Sequence, residues 1–167
     1  MIRAAIVLAA LASPAAAAPP KWQLTDTGLG PVRIGMTQAQ VAKALGSKLT
    51  GEAIEDEKVC VEKSAKSLPA VLFMFLDRRL SRVSIAKGSG ITTRGGIGIG
   101  STATAVRKAF GRGLQAETNE YEDKPAEYLT YWTVPSKRGY RFETDRKRKV
   151  YVIHAGASSI QYIEGCA

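Results

Sequence analysis

Gly30-Pro31-Val32-Arg33-Ile34-Gly35-Met36-Thr37-Gln38-Ala39-Gln40-Val41-Ala42-Lys43-Ala44-Leu45-Gly46 comes back, without a gap, as Gly95-Gly96-Ile97-Gly98-Ile99-Gly100-Ser101-Thr102-Ala103-Thr104-Ala105-Val106-Arg107-Lys108-Ala109-Phe110-Gly111. Identical residues meet at Gly30/Gly95, Ile34/Ile99, Gly35/Gly100, Thr37/Thr102, Val41/Val106, Lys43/Lys108, Ala44/Ala109 and Gly46/Gly111. An internal repeat of this density sets the reading of the rest of the chain. In each copy Val32-Arg33-Ile34 or its counterpart alternates with period two, as a half-buried strand does. Gly35 permits a sharp bend. Thr37 is an N-cap, with Gln40 placed to complete a capping box. Val41, Ala44 and Leu45 form an apolar stripe at helical spacing, and Gly46 sits at the left-handed C-cap position. Thr102 repeats the cap, and Val106, Ala109 and Phe110 repeat the stripe. A helix this short needs a packed partner to persist.

The chain opens with Met1-Ile2-Arg3, an apolar run, and Ala16-Ala17-Ala18 before Pro19-Pro20. A basic start, a short apolar core and small residues at the cleavage point read as a secretory signal peptide over residues 1–18. Residues 19–88 then form the first repeat and 89–167 the second, joined near Lys87-Gly88-Ser89-Gly90 in one compact unit. The net charge is +9, and loss of the leader removes Arg3 from that count. Such a balance favours acidic partners, among them anionic lipid, lipopolysaccharide or an acidic protein. Export argues against nucleic acid. The reading places the protein in the periplasm or outside the cell, with no spanning segment in the mature chain. Two cysteines, Cys60 and Cys166, are an even pair in an oxidising compartment and read as one disulfide.

Strands are expected over residues 58–62, 71–76, 80–85, 128–134, 140–143, 150–154 and 160–164, with Asp77-Arg78-Arg79 and residues 144–149 as turns. Phe142-x-x-Asp145-Arg146 echoes Phe75-x-Asp77-Arg78. The fold class that follows is α+β: two tandem repeats, each a short helix followed by antiparallel strands, with the helices packed on one sheet.

The candidate sites are few. The glycine-rich run 95–100 lacks the Lys-Ser/Thr ending and the parallel βαβ context of a phosphate loop, and reads as turn structure. His154 is the single histidine. Glu143 and Ser158 are residues that a catalytic reading would need beside it, and an ordinary strand position is the plainer reading. No metal set or cofactor motif stands out, so the expectation is a non-enzymatic protein without cofactor. Arg138, Arg141, Arg146, Lys147, Arg148 and Lys149 cluster on one expected hairpin, either as a solvated, charge-blunted edge or as a docking patch for an anionic partner. Tyr128, Tyr131 and Trp132 are core residues or, if their face is open, interface anchors.

Gly35-Met36-Thr37, Val41 and Leu45-Gly46 resemble the small helix-plus-sheet domain in the small outer-membrane lipoprotein of the β-barrel assembly machine. Two such units in tandem resemble the β-lactamase inhibitor protein fold. The resemblance implies a non-enzymatic binding module of the bacterial envelope, directed at a protein or an anionic component. The alternative it leaves is a secreted inhibitor of an extracytoplasmic hydrolase. The lipidation cysteine of the first family is absent from this sequence, and no inhibitor contact residue maps onto it.

Overall fold

The computed structural model describes residues 22–51 and 59–166. The expected signal peptide lies outside the described residues. The chain runs β1 (Gln23–Thr25), β2 (Gly28–Leu29), β3 (Val32–Arg33), α1 (Gln38–Leu45), β4 (Leu49–Thr50), β5 (Cys60–Ala65), β6 (Leu68–Leu76), β7 (Arg79–Ala86), β8 (Thr92–Thr93), α2 (Ala103–Phe110), β9 (Leu114–Thr118), β10 (Glu127–Val134), β11 (Arg138–Thr144) and β12 (Val150–Ala157). A 3-10 turn, Ser158–Gln161, follows β12.

This corrects the expected α+β class of helices packed on one sheet in two repeats. The described residues are mostly β and form two sheets, one of four strands and one of eight. The two α-helices among the described residues hold eight residues each. Helix α1 buries Val41 fully, and α2 buries Ala103 and Val106, which is too little to cover a large sheet. The remaining cover is a second sheet, ordered β3-β2-β1-β8. Its strands are two or three residues long, below the length at which alternation shows in a sequence. Leu24, Leu29 and Val32 from this small sheet join Phe73, Phe75, Val83, Ile85, Phe142 and Ile153 from the large one in a single core. The expected last strand over 160–164 is also absent: that segment is the 3-10 turn and a run of turns.

The large sheet is antiparallel throughout and ordered β4-β5-β6-β7-β12-β11-β10-β9. The order is palindromic, and β7 and β12 meet at its centre with Ser84 opposite His154. The duplicated stretch keeps its capped helix in both places, but the expected strand forms only in the first copy, as β3, and is absent over 97–99, and the C-cap glycines Gly46 and Gly111 differ in conformation. Thr37 caps α1 in a full capping box with Gln40, and Thr102 caps α2. Gly35 N–H donates to Leu80 O at 2.7 Å while Leu80 N–H donates to Met36 O at 2.7 Å. Gly100 N–H donates to Val150 O at 2.7 Å while Val150 N–H donates to Ser101 O at 2.9 Å. Each glycine turn is thereby stitched to the start of a central strand, β7 or β12.

The apolar stripe of each helix carries its share of stability. Val41→Ala and Val106→Ala are each expected to cost about 1–3 kcal/mol in urea unfolding, from lost transfer energy plus the cavity. Lys43→Ala is expected to stay within about 0.5 kcal/mol.

Candidate functional site

Alternation along the central strands sends one set of side chains into the core and the other to the outer face of the large sheet. The outer set includes Glu62 on β5, Leu72 on β6, Arg82 and Ser84 on β7, Arg141 and Glu143 on β11, and His154 on β12. Cross-strand register lines them up: Leu72 faces Ser84, Ser84 faces His154, and His154 faces Arg141. A half-polar sheet face normally meets water. Here Arg82, Ser84, Arg141, Glu143 and His154 are all buried.

The cover is the C-terminal segment, residues 158–166, which crosses this face as a strap. Arg82 Nη1 donates to Ser159 O at 3.1 Å and to Tyr162 O at 2.6 Å, and its Nη2 to Glu62 Oε1 at 2.8 Å. Ser81 and Ser159 share a hydrogen bond of 2.6 Å. Arg141 Nη1 donates to Gln161 Oε1 of the strap, and its guanidinium lies 4.0 Å from the centre of the Tyr128 ring. The strap ends in the disulfide Cys60–Cys166, which spans 106 residues, as expected from the cysteine pair. Gly165 has φ +72°, a backbone region that favours glycine, and a Cβ there would press on the Glu62 carboxylate at 2.9 Å.

Under the strap runs a relay. Ser84 Oγ lies 2.7 Å from His154 Nδ1, and His154 Nε2 lies 2.9 Å from Glu143 Oε1. Tyr151 Oη donates to Glu143 Oε2 at 2.8 Å, and Asn119 Nδ2 donates to Tyr151 Oη at 3.2 Å. Burial is the main force lowering the His154 pKa; the hydrogen bond to Glu143 opposes it, and the charge of Arg82 adds to it. Burial works against the Glu143 charge, but the hydrogen bonds from His154 and Tyr151 prevail and hold its pKa below the ordinary value. A neutral imidazole with its proton on Nε2 satisfies both neighbours. It donates to the carboxylate and accepts the Ser84 hydroxyl proton at Nδ1. Burial also lowers the pKa of Arg82 against the pull of Glu62, and raises that of Tyr151.

A hydroxyl, an imidazole and a carboxylate in this order are the parts of a nucleophilic relay. The partner for a developing oxyanion is what the setting does not supply. Ser84 lies inside β7, which is paired on both sides, so the backbone N–H groups around it are spent on the ladders. The arrangement therefore reads first as a buried hydrogen-bond network that orders the face.

Two recesses flank the strap. One, of about 520 Å³, is bordered by Leu72, Ser84, His154, Glu143 and the strap's Ile163 and Glu164. The other, of about 610 Å³, is bordered by Val59, Tyr121 and Tyr162 beside the disulfide. Tyr121 Oη donates to Glu164 Oε1 at 2.5 Å, which raises the Tyr121 pKa to about 12.

The expected basic patch is divided. Arg141 is buried at the middle of β11. Arg138 stands at the start of β11, paired with Asp26 at 2.7 Å. Arg146, Lys147, Arg148 and Lys149 lie exposed in the turn at the other end of that strand. In that turn Arg148 pairs with Glu127 at 3.1 Å, and Arg146 is 4.0 Å from Asp123. The aromatic trio is divided too. Tyr128 is buried against Arg141, Tyr131 packs on Phe110 in the core at 5.1 Å, and Trp132 is half-buried. Glu143 does stand beside His154, but the hydroxyl partner is Ser84 and not Ser158. Among the described residues no group of acids, cysteines and histidines fit for a metal ion is found, and no helix is long and apolar enough to cross a membrane. No family model matches the chain, and no curated protein or solved structure matches it either.

Acid should weaken the fold in two stages. With its folded pKa depressed, His154 binds fewer protons folded than unfolded, so stability declines as pH falls below the unfolded value near 6.5. Glu143 adds a second decline below its unfolded value near 4.5. Urea midpoints measured against pH should show both, and His154→Gln should remove the upper one. Reducing the disulfide is expected to cost about 4–5 kcal/mol on the chain-entropy scale, read as a lower urea midpoint in dithiothreitol.

Proposed function

We propose that this protein is an exported, non-enzymatic binding module that engages an envelope component through the outer face of its large sheet. One observation carries the reading. The four large apolar side chains most exposed among the described residues are Val59 (55%), Leu72 (43%), Tyr121 (61%) and Tyr162 (47%). All four border the two recesses beside the strap. Scattered apolar residues on a surface are ordinary, but a set confined to one built face is a mark of an interaction site. The sheet, the strap and the disulfide hold that face in advance, which lowers the ordering cost of binding.

The leader-like opening of the sequence and the Cys60–Cys166 bond support an oxidising compartment, periplasmic or external. The spent amides around Ser84 favour binding over acyl transfer. The divided basic run gives less support to docking on lipid or lipopolysaccharide through Arg146 and Lys147 than to docking on the outer face. The inhibitor reading needs Tyr128, Tyr131 or Trp132 in solvent, whereas Tyr128 is buried, Tyr131 packs on Phe110 and Trp132 is half-buried.

Leu72→Glu and Tyr162→Ala sit on exposed positions and should leave stability within about 0.5 kcal/mol. Each should reduce retention of an envelope partner in affinity capture about tenfold or more, while charge reversal at Arg146 and Lys147 leaves it intact. The opposite pattern would move the site to the basic turn. A fluorophosphonate reagent should leave Ser84 unlabelled; stoichiometric labelling would make the protein a serine hydrolase.

A further inference from the structure

The recess beside Leu72 has a hydrogen-bonding polarity that narrows what fits it. It forms because Ala70, Ser84 and Ala86 are small, while Leu72, Val152 and Ile163 supply apolar walls. The Ser84, Glu62 and Glu164 oxygens that border it accept; the Arg82 Nε donor, which finds no partner, is buried. The Ser84 hydroxyl proton is committed to His154 Nδ1, which leaves only lone pairs on Oγ. Glu62 spends Oε1 on Arg82, and Glu164 spends Oε1 on Tyr121, so each keeps a second oxygen. Arg82 is the one lysine or arginine among the described lining residues, and its charge is engaged by Glu62 and two strap carbonyls. His154 is neutral. The hollow is therefore electronegative on a chain whose net charge is +9.

We infer that this recess binds a small organic ammonium ion with an apolar body, the ammonium at Glu164 and Glu62 and the body against Leu72, Val152 and Ile163. The inference rests on the binding reading above. Charge complementarity selects the cation: a carboxylate ligand would face Glu62, Glu143 and Glu164, and a neutral one would leave acceptors unmatched. Volume selects a free small molecule over a single inserted side chain, since about 520 Å³ lies in the range of small-ligand sites.

The test uses the mature chain with its disulfide intact and 4-phenylbutylamine as probe, titrated by NMR. Binding should shift the amide resonances of Ser84, Ala86 and Val152. The matched alcohol, 4-phenylbutanol, and the matched acid, 4-phenylbutanoate, should bind at least about tenfold more weakly, as for a ligand that loses its charge-assisted contact. Glu164→Gln, at an exposed position, should weaken the amine by about two- to fivefold, the effect of an exposed ion pair. Ala86→Leu, at a half-exposed position, should fill the hollow and abolish binding, with an unchanged melting temperature as the folding control. Equal binding of the alcohol, preference for the acid, or amine binding that survives Ala86→Leu would overturn the inference. Tighter binding of a blocked lysyl peptide than of the amine would overturn the choice of a free small molecule. If no amine binds while Leu72→Glu still abolishes partner capture, the ammonium assignment falls and the binding reading stands. If Leu72→Glu changes nothing either, both fall.

Discussion

Arg82 is a cation with 2% of its surface exposed, on a sheet face that would otherwise meet water. A buried guanidinium is tolerable only when its charge is compensated and its outer donors are met; here Nε alone of its nitrogens finds no partner. Three acceptors meet it: the Glu62 carboxylate and the carbonyl oxygens of Ser159 and Tyr162. Two of the three belong to the strap, so the strap's course follows from the need to pair this one side chain. The disulfide then sets where the strap ends. Ser84 and His154 are buried because the strap passes over their neighbours, and His154 stays neutral because it is desolvated beside Arg82. Breaking the Glu62 contact would leave a buried charge uncompensated, which costs more than the ion pair itself contributes.

The face is assembled at a seam. Glu62, Leu72, Arg82, Ser84 and Cys60 come from strands β5 to β7, and Glu143, His154 and Cys166 come from β11, β12 and the strap. Neither part of the chain holds the relay alone. The β7–β12 pairing brings the two together, with Ser84 opposite His154. The stitches from Gly35 to Leu80 and from Gly100 to Val150 anchor the first residues of these strands from the core side. Local turn geometry on one side of the sheet thus positions chemistry on the other, through strands too extended to absorb a shift. A slip of one residue in the β7–β12 register would send Ser84 into the core and Val83 out.

What could be read from the amino acids follows the range of the interactions involved. Caps at Thr37 and Thr102, the stripes of Val41 and Val106, and the hairpins from β6 to β7 and from β11 to β12 are set by neighbours a few residues away. They were legible. The disulfide was legible because only two cysteines exist. The small sheet was not, since strands of two or three residues carry no periodic signal, and β1 and β8 pair across nearly the whole first half of the chain. Its presence changes the fold class. Arg82 and Ser84 alternate with Val83 and Ile85, the pattern of solvent-facing positions on a half-buried strand. Nothing local foretold that a strap from the far end would bury them. Residues 160–164 alternate as a strand does, yet Arg82 and Arg141 hold this segment by the Tyr162 carbonyl and by Gln161, a pull that no pattern within it could reveal. The six basic residues looked like one patch because they are close in sequence. An extended strand separates its two ends and turns Arg141 to a different face.

The hydrogen-bonding polarity of the recess is decided at a distance from it. Were the His154 proton on Nδ1, the Nε2 lone pair would face an ionised carboxylate at 2.9 Å, so the carboxylate forces the proton onto Nε2. That leaves Nδ1 as an acceptor, which takes the Ser84 proton and makes the serine oxygen an acceptor toward the recess. The chain of consequence starts with Glu143 being ionised, and Glu143 is ionised although buried because Tyr151 and His154 donate to it. Tyr151 is in turn oriented by Asn119, whose Oδ1 also accepts the Tyr121 N–H at 2.9 Å. Tyr121 is the residue that reaches across to Glu164 of the strap. The loop that carries Asn119 and Tyr121 therefore acts on the hollow twice. It fixes the proton order beneath the floor through Asn119, and it holds an acidic group at the mouth through Tyr121.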